Sequence, residues 1–151
     1  MSNILFHFED VPSFEIDSSA TENWLTQVVN QEQKSWTIDE LNYIFCSDEY
    51  LLQINQQYLN HDYYTDVITF DNSGSQEEIV GDIFISTDRV KENAQALNSS
   101  FHIELYRIMV HGLLHLLEYD DKSPEAKKLM TNKEDTYLSL LSKFNVPRGT
   151  N

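Results

Sequence analysis

Residues 101–117 read Phe-His-Ile-Glu-Leu-Tyr-Arg-Ile-Met-Val-His-Gly-Leu-Leu-His-Leu-Leu, and the rest of the chain is best read outward from them. The stretch is apolar on nearly every face of a helix, which predicts a central, buried helix instead of a surface amphipath. Its histidines are therefore unusual. Downstream, Ser123-Pro124-Glu125 combines a cap residue, proline at the first helical position and a first-turn acid, opening a last helix that is expected to end near Phe144. Upstream, Thr87-Asp88 is expected to cap a short helix to about Leu97. Asp66–Phe70 and Ile79–Ser86 flank a Gly-containing loop and are rich in β-branched and aromatic residues, as two paired strands should be. Alternation of Leu41, Tyr43 and Phe45 predicts another strand over 39–46, followed by a helix capped by Ser47 and running through Tyr58. Ile4, Phe6 and Phe8 mark a first strand, and Ser19 with Glu22 forms a capping-box pattern for a helix through about Gln33. The pattern is α+β: a small four-stranded mixed sheet covered by about five helices, the two C-terminal ones segregated toward one side.

The chain has 151 residues, 40% of them hydrophobic, enough for one domain expected to span 1–151. Folding at this size buries roughly 70% of the unfolded surface, so no structural metal is needed and any metal points to function. The single Cys46 cannot form an intrachain disulfide, no basic leader opens the sequence, and no apolar run approaches a membrane span. A cytoplasmic location and no membrane partner are expected. A formal charge of -15 argues against a polyanion binder driven by overall charge. The acidity is uneven, however. Residues 1–100 hold 3 Lys+Arg against 18 Asp+Glu, whereas residues 101–151 hold 7 of each. Any polyanionic partner is thus expected to approach from the C-terminal helices, where Lys122, Lys127, Lys128 and Lys133 follow the histidines; the bland alternative is a solvated helix face.

His111 and His115, four apart on a helix, can both point a ring nitrogen at one ion, and Asp121 beyond the helix end can fold back to offer a carboxylate. Three protein ligands leave a position for water, the arrangement of catalytic zinc, although the same donor types also serve non-haem iron. The competing reading is two core histidines hydrogen-bonded to backbone. Against it, each buried ring needs a partner or costs about 1–3 kcal/mol, and one metal satisfies both. The metalloprotease motif H-E-x-x-H has its general base where this chain has Gly112, which disfavours peptide hydrolysis.

His111, Gly112, Leu114, His115, Leu116, Tyr119 and Asp120 match the signature H-G-x-L-H-L-x-G-Y-D-H position by position. The segment Ile54-Asn55 through Phe70 and the triplet Gly81-Asp82-Ile83 fit further motifs in order and spacing. In these residues the chain resembles the YbeY family of bacterial ribosomal-RNA maturation factors, zinc-dependent endoribonucleases. The resemblance covers most of the chain. It implies cleavage of single-stranded RNA during maturation of small-subunit ribosomal RNA and ribosome quality control, with precursor ribosomal RNA and the small subunit and its proteins as partners.

Three departures from that pattern bear on the chemistry. Asp121 stands where the family has its third histidine, so the carboxylate keeps a ligand role but adds negative charge and lowers the metal's electrophilicity. Glu118 replaces the second glycine, at about 1 kcal/mol or more if the helix end needs a left-handed residue there. Leu59 replaces an arginine suited to a phosphate near the metal. Two substitutes are available. His61 is a candidate phosphate contact or proton-transfer group, against an exposed loop histidine; Arg107, one turn before His111, is a candidate phosphate contact, against a pair with Glu104. Asp66 and Asp82 are candidate acceptors orienting the ligand histidines, against capping and turn roles. Lys122, Lys127 and Lys128 complete the substrate-binding candidates. A non-catalytic ribosome-assembly protein with a structural metal is the alternative function, and a metalloprotease the third.

Overall fold

The β-branched and aromatic runs form four strands, β1 (Ile4–Phe8), β2 (Thr37–Cys46), β3 (Val67–Asp71) and β4 (Glu78–Ser86), in a sheet of order β1-β2-β4-β3. A computed structural model describes residues 3–149 of the chain. Strands β1, β2 and β4 run parallel, and β3 pairs antiparallel with β4, so the sheet is mixed, as expected. Tyr43 sits between Phe6 and Ile83, and Phe45 between Phe8 and Ile85. The two-residue period thereby collects these side chains on one face.

Helices α1 (Ser18–Glu32), α3 (Thr87–Ala96), α4 (Phe101–Leu116) and α5 (Pro124–Leu138) all contribute to the larger core on that face, through residues such as Trp24, Val90, Met109 and Tyr137. Cys46, Ile68, Phe70 and Phe84 cluster instead with Leu51 and Ile54 of α2 (Asp48–Leu59). The segregation predicted for the two C-terminal helices therefore extends to four of five. Helix α4 is central, with Leu105, Tyr106, Met109, Val110, Leu113 and Leu114 all fully buried. The buried Tyr43 hydroxyl donates to the Met109 carbonyl at 2.9 Å and ties α4 to the sheet. Gly112 sets how closely they approach: a Cβ there would stand 2.8 Å from Ile83 Cγ2 and 3.2 Å from Thr69 Oγ1.

Ser47 and Ser123 cap α2 and α5 as the sequence predicts, accepting from the Tyr50 and Ala126 amides. Two other caps differ. Helix α1 starts at Ser18 with Asp17 as its cap, accepting from the Ala20 amide at 3.0 Å, so Ser19 lies inside the first turn. Phe14 and Ile16 pack on the core just before it, which brings the carboxylate of residue 17 to the helix entry. For α3 the cap is Ser86, accepting from the Arg89 amide, while Thr87 donates its hydroxyl to the Cys46 carbonyl. Helix α5 stops at Leu138, short of Phe144. Tight turns follow, in which left-handed Asn145 and a Val146 to Leu141 backbone bond bury both apolar side chains.

Candidate metal centre

His111 and His115 project from consecutive turns of α4, and the turn after the helix carries Asp121 back over them. The two Nε2 atoms are 3.0 Å apart, and Asp121 Oδ2 lies 3.4 Å from that of His111 and 3.7 Å from that of His115. Donors about 2.0–2.1 Å from a tetrahedral zinc stand about 3.3–3.4 Å from each other, so this triangle has the size such an ion requires.

The far side of each ring settles which nitrogen carries its proton. His115 Nδ1–H donates to the Tyr119 carbonyl at 2.9 Å, and His111 Nδ1–H donates to the Glu134 carboxylate at 2.7 Å. With both protons on Nδ1, both Nε2 atoms turn lone pairs toward the same point. Lone pairs 3.0 Å apart repel unless a proton or a metal ion lies between them, and Asp121 adds a third electron-rich atom. The donor set therefore fits a divalent cation. Burial alone would depress the His111 imidazole, but the Glu134 hydrogen bond, followed by the charges of Glu134, Asp121 and Asp66, outweighs burial and raises it above the usual histidine value.

Glu134 of α5 is a functional residue that the sequence reading missed. It is 6% exposed, and its other oxygen accepts from Arg107 at 3.1 Å while Arg107 also reaches Asp135 at 2.7 Å. Arg107 thus clamps α4 to α5 through two carboxylates, rather than pairing with Glu104, and it lies outside the cleft lining. Carboxylates that receive a ligand histidine's second N–H orient the ring and raise its basicity. Asp82 does not occupy that position; it accepts from Asn42 and Asn72 across the sheet. Asp66 lines the cleft. One signal for Glu134 was present: Met130, Tyr137 and Leu141 form a buried stripe at helical spacing, and an acid at 134 interrupts it.

The turn that delivers Asp121 is held at several points. Glu118 has φ 76°, and the amides of Glu118 and Tyr119 bond to the carbonyls of His115 and Leu114. This is the Schellman arrangement with glutamate at the position that favours glycine. The helix end does need a left-handed residue at this position, so Glu118 bears the cost that its substitution for glycine implies. Tyr119 donates its hydroxyl to Glu32 of α1, which also accepts from Tyr137 and from Lys133 at 3.1 Å. Burial alone would raise the Glu32 carboxyl, yet the hydrogen bonds from Tyr119, Tyr137 and Lys133 outweigh it and hold it below its ordinary value. Lys133 is thereby paired with Glu32, whereas Lys122, Lys127 and Lys128 remain exposed on the turn and the start of α5.

The three donors open onto a cleft of about 420 Å³ between α4 and the segment joining α2 to β3. Asn55, Leu59, His61, Tyr63, Asp66 and Thr69 line its other side. Leu59, in the arginine position of the family motif, and His61 both face this space. Gly112 is packed against Ile83 and Thr69, so the glutamate of a metalloprotease motif has no room at that position.

Fold and site together define an α+β protein with a two-histidine, one-carboxylate donor set at the floor of an open cleft. The sequence profile of the family described as endoribonuclease YbeY matches residues 7–142, and the chain belongs to that family. It is 51% identical over 137 residues to the endoribonuclease YbeY of Cytophaga hutchinsonii, covering 90% of this chain and 94% of that protein. It is also 51% identical to the endoribonuclease YbeY of Flavobacterium psychrophilum, covering 85% and 93%. A solution structure from Thermotoga maritima is similar in fold, with a TM-score of 0.62 and 28% identity over 93% of this chain and 89% of that one. Among the described residues no helix is long and apolar enough to cross a membrane.

Proposed function

We propose that the protein is a single-domain, zinc-dependent endoribonuclease of the cytosol that cuts single-stranded RNA during maturation of the small-subunit ribosomal RNA 3′ end and in ribosome quality control. Its partners in this reading are precursor ribosomal RNA and the small subunit with its proteins. One observation carries the proposal: two Nε2 lone pairs and the Asp121 carboxylate converge at the floor of an open cleft in a chain of the endoribonuclease YbeY family.

His111, His115 and Asp121 hold the metal. Bound there, zinc would act as a Lewis acid that lowers the pKa of water toward neutrality and offsets negative charge on a phosphodiester. Glu134 and the Tyr119 carbonyl keep the two rings aimed, and Arg107 keeps Glu134 in place. His61, across the cleft, is the candidate for a phosphate contact or proton transfer. Lys122, Lys127 and Lys128, exposed on the turn after Asp121 and at the start of α5, are the candidate contacts for phosphates outside the cleft. The test is cleavage of single-stranded RNA by pure protein of measured metal content, alongside His115→Ala. Loss of both metal and cleavage is expected, and unchanged cleavage in the variant would identify a contaminating nuclease.

A second reading, a ribosome-assembly protein with a structural metal, is favoured by Leu59 in the cleft and by the carboxylate in place of a third histidine. It predicts co-sedimentation with precursor subunits that survives His115→Ala. Loss of binding with the fold intact would sink it.

A further inference from the structure

Across the cleft from the donor triad, Tyr63 and His61 form a stacked pair, with ring centroids 5.1 Å apart and planes 22° from parallel. The Tyr63 hydroxyl lies 3.0 Å from His61 Nδ1, which holds the two rings in register. Both side chains are exposed, Tyr63 by 55%, so neither ring is there to fill the core. The backbone beneath them is nevertheless anchored. Asn55, 1% exposed, donates its side-chain amide to the Tyr63 carbonyl at 2.9 Å. A buried asparagine thus fixes the loop while the aromatic pair stays in water at the mouth of the cleft.

Charge makes this pair more significant. Among the described residues lining the cleft are three carboxylates, Asp66, Asp71 and Asp121, and no lysine or arginine. A polyanion receives little electrostatic help inside such a cleft beyond the metal itself. Stacking on an aromatic face does not depend on charge, and it contributes roughly 5- to 150-fold in affinity per base. It also discriminates. A base inside a duplex has neighbours on both faces, whereas an unpaired base can offer one face to a ring.

We propose that the Tyr63–His61 pair is a stacking platform that holds one unpaired nucleobase beside the scissile phosphodiester and makes the site select single-stranded RNA. The proposal rests on the endoribonuclease reading for its substrate class and on the exposed ring pair for its geometry. Tyr63 is accordingly a positioning and specificity residue.

The test uses the full-length zinc-loaded protein and a short single-stranded RNA carrying one 2-aminopurine, whose fluorescence falls when the base stacks. Wild type is expected to quench the probe. Tyr63→Ala should abolish the quench and raise KM about tenfold with kcat within about twofold, and Tyr63→Phe, which keeps the ring and loses only the hydroxyl contact to His61, should recover most of both. Binding should also depend only shallowly on salt, with a log–log slope below about 2, since three exposed lysines at most meet phosphates outside the cleft. A quench and KM unchanged in Tyr63→Ala, or a steep salt slope, would overturn the platform. The two readings separate cleanly. A Tyr63-dependent quench without cleavage removes the endoribonuclease and keeps the platform, and cleavage indifferent to Tyr63 does the reverse.

Discussion

On the α4–α5 wall of the cleft each donor side chain has a second group behind it: Glu134 behind His111, the Tyr119 carbonyl behind His115, and a turn pinned through Tyr119 to Glu32 beneath Asp121. On the facing wall, residues 59–66 present Leu59, His61, Tyr63 and Tyr64 to solvent, and a bond from the Asn55 side-chain amide to the Tyr63 carbonyl anchors the loop. The first wall is suited to holding atoms within tenths of an ångström, which a metal site needs. The second, on the proposed reading, suits a flexible strand, whose bases vary in identity and position. Rigidity was built where the donors must converge, and exposed aromatic surface was left where the ligand must be accommodated.

That contrast can be attacked first at the seat of the rigid wall. Gly112→Ala places a Cβ 2.8 Å from a fully buried Ile83, and we expect it to destabilise the fold by about 1–3 kcal/mol in denaturant titration. A neutral result would show that α4 sits loosely on the sheet. Removing the support behind one donor should be next in size. Glu134→Gln keeps the shape but loses the charge that meets both His111 and Arg107, and zinc affinity by chelator competition should fall about 10- to 100-fold. Affinity within about twofold of wild type would mean that ring orientation does not need this carboxylate.

A smaller effect is expected from acid. Glu32 is held below its ordinary value of 4.5, so its stabilising contribution is complete above that value and is lost as pH falls through the lower folded value. Thermal unfolding followed downward from pH 4.5 should show wild type losing stability that Glu32→Gln does not lose, the variant starting lower. Parallel curves would remove Glu32 from the anchoring of the turn. The smallest effect, and the only stabilising one, belongs to Glu118→Gly. Relief of a left-handed glutamate at φ 76°, less the entropy glycine adds to the unfolded chain, should gain about 0.5–1 kcal/mol. Destabilisation would show that the Glu118 side chain has a partner worth more than the strain.

Much of the site is local and was therefore legible. His111 and His115 share a face by helical periodicity, and Asp121 lies close enough in the chain to fold back on them. Ser47 and Ser123 were readable as caps because a cap acts within three residues. Asp17 was not, since Ser19 offers an equally good local pattern and the choice depends on where Phe14 and Ile16 pack. Arg107 illustrates the same limit. Its neighbour Glu104 is near in sequence, but α5 brings two other carboxylates to the guanidinium.

By itself, the sequence determined the α+β class, the four strands and five helices, and the ligand residues of a candidate metal site, because each follows from periodicity, capping or spacing over a few residues. Only the tertiary structure decided which groups stand behind the donors and what faces them. Glu134 and His111 are 23 residues apart, and Tyr119 and Glu32 are 87 apart. Partners at such separations are chosen by how helices pack on a sheet, which no local pattern records.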